Sequence, residues 1–276
     1  MYEAHFGLSD RPFGDSLSLA RWVPIASRES ALRRLRYGLE HGQGPALLFG
    51  PPGTGKTMLA HALAKDLGSP SVHLAFPAMP AAELLAYLAD ELGELAGQGQ
   101  AGSSIDIAPP LGASVRRLRA ILASAALREV RPLLVVDEAH LIVDSETFET
   151  LRLLLNFATT GPADLSLLLV GSPEVLLSLP VGLADRLTAR CLLGPLSESE
   201  SAEYVTGRLT LAGASQDLFP SEALRALHRA ADGLPRRLNH LADLALLIAY
   251  AEARPHPDAT TIAIAAREAA HEPLAA

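Results

Sequence analysis

The sequence predicts an α/β protein, a parallel five-stranded sheet flanked by helices with a small all-helical domain after it. Three observations carry that prediction. Short uninterrupted apolar runs alternate with helix-sized segments, which is the pattern of strands covered on both faces. The strand signal stops after Leu196 and gives way to apolar residues at three and four spacing. A glycine-rich stretch, GPPGTGKT, stands directly after the first apolar run and directly before a helical pattern.

The expected strands are PALLFG (45–50), SVHLAF (71–76), LLVVD (133–137), LSLLLVG (165–171) and RCLLGPL (190–196). They lie in an α/β core over 26–196, preceded by an N-terminal extension over 1–25 and followed by a helical domain over 197–276. In that domain SESESAEYVTGRLTLAG, SEALRALHRAADG and PRRLNHLADLALLIAYAEAR read as helices, with Ser197 or Ser199 and Ser221 at the capping positions. Residues 97–112, rich in Gly, Ser and Pro, read as a long loop. No internal repeat is present.

Composition narrows the class. A chain of 276 residues that is 49% hydrophobic supplies a sizeable core. Its most apolar helical stretch, residues 241–253, is broken by Asp243 and Glu252 and is not a membrane span. The start, MYEAHFGLSDRPF, carries acids early and lacks the basic-then-apolar form of a signal peptide, so a soluble cytoplasmic protein is expected. One cysteine, Cys191, excludes an internal disulfide framework and reads as a small buried hydrophobe. The formal charge of −8 argues against coating nucleic acid with the whole surface. Two local basic faces, Arg33, Arg34 and Arg36, and Arg116, Arg117 and Arg119, read as solvated helix surface. Lysine occurs only at Lys56 and Lys65, so a lysine inside a motif calls for a reason.

GPPGTGKT, Gly50 to Thr57, supplies one. Gly50, Gly53 and Gly55 let the backbone curl so that successive N–H groups face phosphate oxygens, and the following helix adds its positive end. Pro51, Pro52, Thr54 and Met58 complete the wall of that cradle. Lys56 is placed to reach the β- and γ-phosphates of ATP, and Thr57 to put its hydroxyl on Mg²⁺. LLVVDEAH then delivers Asp137 at the carboxyl end of a buried strand, as a second Mg²⁺ ligand acting mostly through water. Glu138 follows as the candidate general base. His140 completes the letters of an Asp-Glu-Ala-His helicase box, but no other helicase signature accompanies it and it reads as a local packing residue. If LSLLLVG lies between the two loop-bearing strands, Ser172 at its tip can touch the γ-phosphate or the attacking water; a serine before a proline is also ordinary turn chemistry.

These residues resemble the AAA+ ATPases: GPPGTGKT, VVDEAH, a polar strand tip, a following arginine pair and GLPRRLN in a helical C-terminal region. MYEAHFGLSDRPF, RYGLEHG, LRLLLNF, LVGSPEVL and DGLPRRLNHLADLALLIAYAE look like the ExeA-type branch, which holds secretion and pilus-biogenesis ATPases and is similar to the TniB/TnsC regulators of transposition. The resemblance puts Lys56 and Thr57 at Walker A, Asp137 and Glu138 at Walker B, Ser172 at sensor 1 and Arg236 at sensor 2, over the γ-phosphate. Arg237 points about 100° away on a helix and is the weaker choice. Arg186 falls where a relative's arginine finger would reach a neighbouring subunit's nucleotide, with Arg190, on the strand, as the alternative. Members like ExeA itself continue into a membrane span and a peptidoglycan-binding region, whereas this sequence ends at HEPLAA; anchoring by a membrane partner, or service to another assembly, is the expectation.

The resemblance therefore implies an oligomerising, Mg²⁺-dependent ATPase. Three outputs compete: assembly or remodelling of a secretion-type protein complex, wrapping of duplex DNA in the manner of the transposition regulators, and a nucleotide-dependent interaction module with little turnover.

Overall fold

Strands form where an apolar run is long enough to be buried from both sides, and helices where the apolar residues fall on one face. The computed structural model describes residues 1–14, 17–41, 44–97, 110–158 and 164–271. In chain order the elements begin with α1 (Tyr2–His5), α2 (Ala26–His41), β1 (Ala46–Phe49), α3 (Lys56–Leu67), β2 (Ser71–Leu74), α4 (Ala81–Leu95) and α5 (Leu111–Ala126). They continue with β3 (Leu133–Val136), α6 (Ser145–Leu154), β4 (Ser166–Gly171), α7 (Val175–Ser178), α8 (Val181–Ala184) and β5 (Ala189–Leu192). The last four are α9 (Glu198–Leu211), α10 (Ser221–Ala231), α11 (Pro235–Ala251) and α12 (Ala259–His271). They group into two units, one of Met1–Ser30, Pro51–Met58 and Leu193–Ala276, the other of Ala31–Gly50 and Leu59–Leu192.

The second unit is built on a parallel sheet in the order β2-β3-β4-β1-β5. Leu133 to Val136 and Leu167 to Val170 are almost wholly buried, which is why those runs lack polar alternation. The edge strands do alternate, and Leu192 on β5 is exposed. Strand β5 starts one residue earlier than expected and stops at Leu192, short of Leu196, because its neighbour β1 ends at Phe49, opposite Leu192. Leu84, Leu88 and Leu92 line one stripe of α4, and with Leu118, Ile121, Phe148 and Leu151 they share a core with Leu134, Val136, Leu167 and Leu169. The expected loop 97–112 is corrected at its end, since Leu111 and Gly112 open α5 behind Pro110 at its N-cap. Residues 98–109 of that loop lie outside the described residues.

Strand β4 lies between β3 and β1, the arrangement on which a role for Ser172 depends. Register places Phe49 opposite Gly171, and the Gly50 N–H donates to the Gly171 carbonyl at 3.2 Å. On the other side the Asp137 N–H donates to the Leu74 carbonyl at 2.9 Å. The residues after β1 and β3 are thus held to their neighbours by main-chain bonds before any side chain acts.

The first unit packs α9 to α12 against N-terminal Tyr2, Phe6, Leu8, Phe13, Val23 and Ile25. Ser197 caps α9 in a full capping box with Glu200, and Glu200 also accepts from the Ser27 N–H at 3.1 Å. Ser221 is not a cap: Pro220 holds that position in α10, and Ser221 is the first helical residue. The N-terminal residues are tied to α11 through Asp243, which accepts from Tyr2 Oη at 2.5 Å and from Arg11 Nε at 3.0 Å. Burial raises the Asp243 pKa, but hydrogen bonds from Arg11 and Tyr2 outweigh it, and the carboxyl sits below its usual range. Buried Arg208 donates to the Pro12 carbonyl and to Tyr204 Oη, both at 2.8 Å. Among the described residues no helix is long and apolar enough to cross a membrane.

Candidate functional site

The loop Gly50 to Thr57 leaves the carboxyl end of β1 and closes into α3 at Lys56. Gly53 and Gly55 have φ of +79° and +90°, in the region that side chains disfavour, so glycine is needed at both turns. Inside the loop Thr54 Oγ1 donates to the Pro51 carbonyl at 2.9 Å, and Lys56 Nζ donates to the same oxygen at 3.1 Å. Thr54 and Lys56 are buried, while Pro52 is exposed. Thr57 and Met58 follow in the first turn of α3, half-buried.

Arg236 belongs to the same unit. Pro235 occupies the first turn of α11, where its missing N–H costs nothing, and the Arg236 N–H donates to the Gly53 carbonyl at 3.2 Å. A β-carbon at Gly53 would stand 3.2 Å from the β-carbon of Arg236, so Gly53 also gives the helix its close approach. The Arg237 side chain pairs with Asp232 and donates to the Ala230 carbonyl at 3.0 Å.

The carboxylates stand in the second unit. Asp137 is buried; its Oδ1 accepts from the Glu138 N–H at 2.8 Å, and its Oδ2 is 3.3 Å from His73 Nε2 on β2. His73 in turn stacks on His61 of α3, rings 4.5 Å apart and 8° from parallel. Burial, with the neighbouring His73, holds the His61 imidazole below its usual value, against the opposing pull of Asp137. Glu138 has φ +49° and ψ +37°, a left-handed conformation that a side chain enters at a cost of ~1 kcal/mol or more. Its carboxylate is half exposed and lies 3.3 Å from His140 Nδ1. His140 does more than pack locally, as the sequence alone suggests: it stands between Glu138 and the tip of β4, where the Ser172 N–H donates to its Nδ1 at 3.4 Å. Among the described residues Ser172 Oγ is buried without a hydrogen-bond partner.

The arginines divide. Exposed Arg186, just past α8, donates from Nη1 to Asn156 Oδ1 at 3.0 Å. Arg190 stands opposite Leu47 in the sheet, and its Nη2 donates to the Ala184 carbonyl at 2.7 Å. Of the two basic faces, Arg36 pairs with Glu40 and Asp66, and Arg117 with Asp90. Cys191 is buried, and burial raises its thiol pKa, as suits a packing residue.

No group of three or more His, Cys, Asp or Glu side chains among the described residues could hold a metal by itself. The donors that are present suit Mg²⁺, which takes one carboxylate or hydroxyl oxygen with waters and phosphate oxygens instead of an all-protein cage. Thr57 and Asp137 are donors of that kind, and a curled glycine loop at a helix N-terminus with a lysine suits a polyphosphate. Sequence reasoning does not find His61 and His73; the trace of His73 is a histidine inside the otherwise apolar strand run SVHLAF.

A phosphate loop after β1, adjacent carboxylates after β3 and a parallel sheet in this order define a P-loop NTPase. A family model described as AAA domain matches residues 39–179, and the chain belongs to that family. Within it the chain is ExeA/GspA-like: it is 36% identical over 259 residues to General secretion pathway protein A of Aeromonas hydrophila, covering 91% of this chain and 45% of that protein. The chain thus spans about half the length of this curated relative. Among solved structures it is similar to Cdc6p of Pyrobaculum aerophilum, with a TM-score of 0.67 at 18% identity over 91% of this chain and 68% of that one. The Holliday junction branch migration motor RuvB of Thermotoga maritima gives 0.62 at 17% identity, over 93% and 73%. Both share the fold.

Proposed function

We propose that the chain binds Mg-ATP, hydrolyses it, and acts as an oligomerising cytoplasmic switch that drives assembly or remodelling of a secretion- or pilus-type protein complex. The observation that carries the ATPase reading is that one chain carries both a complete phosphate loop directly after β1 and Asp137 and Glu138 directly after β3, with β4 between those two strands in the sheet. Similarity to a general secretion protein over 91% of the chain favours the secretion output over the DNA-wrapping one.

In this reading the N–H groups of Gly50 to Thr57 and the Lys56 ammonium hold the phosphates, with Pro51, Pro52 and Met58 walling the cradle. Thr57 and Asp137 hold Mg²⁺, which when bound neutralises charge on the β- and γ-phosphates. Glu138 takes the proton of the attacking water, Ser172 orients that water or the γ-phosphate, and Arg236 balances the charge that develops there. Arg186 serves the nucleotide of a neighbouring subunit. For Lys56 this requires a change of partner, since Nζ now donates to the Pro51 carbonyl and must exchange that bond for a phosphate oxygen.

The test is steady-state ATP hydrolysis beside nucleotide binding. Glu138→Gln should bind ATP as the parent does and hydrolyse it roughly 10²- to 10⁴-fold more slowly, the range a positioned base supplies. A variant that turns over at the parent rate would remove Glu138 as the base. Duplex DNA at two salt concentrations separates the outputs: strong stimulation that fades with salt would favour DNA wrapping over the assembly of a secretion-type complex.

A further inference from the structure

We propose that His140 is a positioning residue for Glu138, acting through a single ring nitrogen that can serve either Glu138 or the main chain of Ser172 but not both. The proposal rests on the reading of Glu138 as the general base. His140 Nδ1 is 3.3 Å from Glu138 Oε2 and 3.4 Å from the Ser172 nitrogen. The Ser172 N–H needs a lone pair on Nδ1, whereas the Glu138 carboxylate needs a proton on it, and one imidazole nitrogen carries one or the other. The two contacts therefore belong to different tautomers or charge states of the same ring.

The surroundings fix the ring where this choice arises. The 3-10 turn Ala139–Leu141 carries it, and Glu138 at the head of that turn holds the left-handed backbone that directs its carboxylate. Against the ring lies Gly171, the last residue of β4; a β-carbon there would sit 3.3 Å from the His140 nitrogen and 3.5 Å from Nδ1. A glycine at the end of β4 thus gives the imidazole its place beside the strand tip. With the proton on Nδ1 the ring holds the Glu138 carboxylate and the Ser172 N–H loses its acceptor. With the lone pair on Nδ1 the ring binds β4, and Glu138 loses the contact that orients it to accept a proton from water. His140 then couples the position of the β4 tip, where Ser172 stands, to the readiness of the base.

Three variants test this in the full chain, each first checked for a parent-like cooperative melt. His140→Phe keeps a ring against Gly171 and removes the nitrogen. His140→Asn places an amide near Nδ1 that can donate in one orientation and accept in the other. His140→Ala removes both ring and nitrogen. The Phe and Ala variants should lose roughly 10- to 100-fold in kcat, the range seen when a group that orients a reacting ligand is removed, with KM for ATP and nucleotide affinity unchanged. Asn should recover most of that loss. In the Glu138→Gln background His140→Phe should cost nothing further, because His140 acts only through Glu138. Parent-level kcat in His140→Phe, a loss confined to KM, or a further loss in the Glu138→Gln background each overturns the proposal. If Glu138→Gln itself turns over at the parent rate, the reading of the base fails, and this proposal with it. If Glu138→Gln is inactive and His140→Phe is not, the proposal alone fails.

Discussion

At the scale of single residues, the sharpest feature is a carboxylate held in a backbone conformation that its side chain resists. Among the described residues Glu138 is one of four non-glycine residues with positive φ, with Glu129, Asp232 and Ala253, and of these it alone stands beside the buried Asp137. The left-handed geometry costs a side chain ~1–2 kcal/mol, while glycine there loses ~0.5–1 kcal/mol through its freer unfolded state. Glu138→Gly should therefore be more stable than Glu138→Ala by up to about 1.5 kcal/mol, and both should be inactive. Urea unfolding of the two variants checks this, and an alanine variant as stable as the glycine one would show that the turn is not strained. The identity of Glu138 is legible from VVDEAH, but its strain is not, since φ at 138 follows from how the chain turns off β3. The contact of His140 with Ser172 is hidden too, because it joins residues 32 apart. His73 and Asp137, 64 apart, escape for the same reason.

At the scale of elements, Asp258 governs the last helix. Its Oδ1 accepts from Thr260 Oγ1 at 2.6 Å, from the Thr261 N–H at 2.8 Å and from Thr261 Oγ1 at 2.9 Å, just ahead of α12. The hydrogen bond from Thr260, then those from Thr261, hold the carboxyl well below the usual carboxylate range. A carboxyl depressed in the folded state stabilises it above the unfolded value of about 3.9, and that contribution fades as pH falls through the lower folded value. Asp258→Ala should cost about 1 kcal/mol at pH 7, as loss of a cap does, and the gap to the parent should narrow between roughly pH 4 and pH 2. Thermal melts across that range measure it; a gap independent of pH would mean that the carboxylate charge contributes nothing. The strands show why some elements are readable and others not. Continuous burial makes β1, β3 and β4 plain in the sequence, and Ser197 with Glu200 marks α9. Pro110 and Gly112 make the start of α5 look like loop, although proline at an N-cap and glycine in a first turn leave a helix intact.

At the scale of the molecule, the sequence pattern divides the chain by order and the contacts divide it by cores. Residues 1–25 carry no periodicity, yet Tyr2, Phe6 and Phe13 share a core with α9 to α12, and Tyr2 bonds to Asp243, 241 residues away. Local pattern cannot encode such a partner. The same limit applies to assembly, which in the proposed function turns on Arg186. Its guanidinium is exposed and donates to the neutral amide of Asn156, a bond readily exchanged for one to a phosphate oxygen. Arg190 is turned back to the Ala184 carbonyl beside its own strand. If Arg186 completes a neighbour's nucleotide site, ATP turnover per chain should rise with protein concentration in the parent, because the guanidinium is delivered only on association. An arginine supplied in trans is worth ~10³ or more in rate. Arg186→Ala should keep the parent's nucleotide affinity and lose that rise, whereas Arg190→Ala should keep it. Turnover measured from dilute to concentrated protein, with mass by light scattering at each point, decides the matter: an Arg186→Ala variant that associates and accelerates as the parent does would leave Arg186 as ordinary surface.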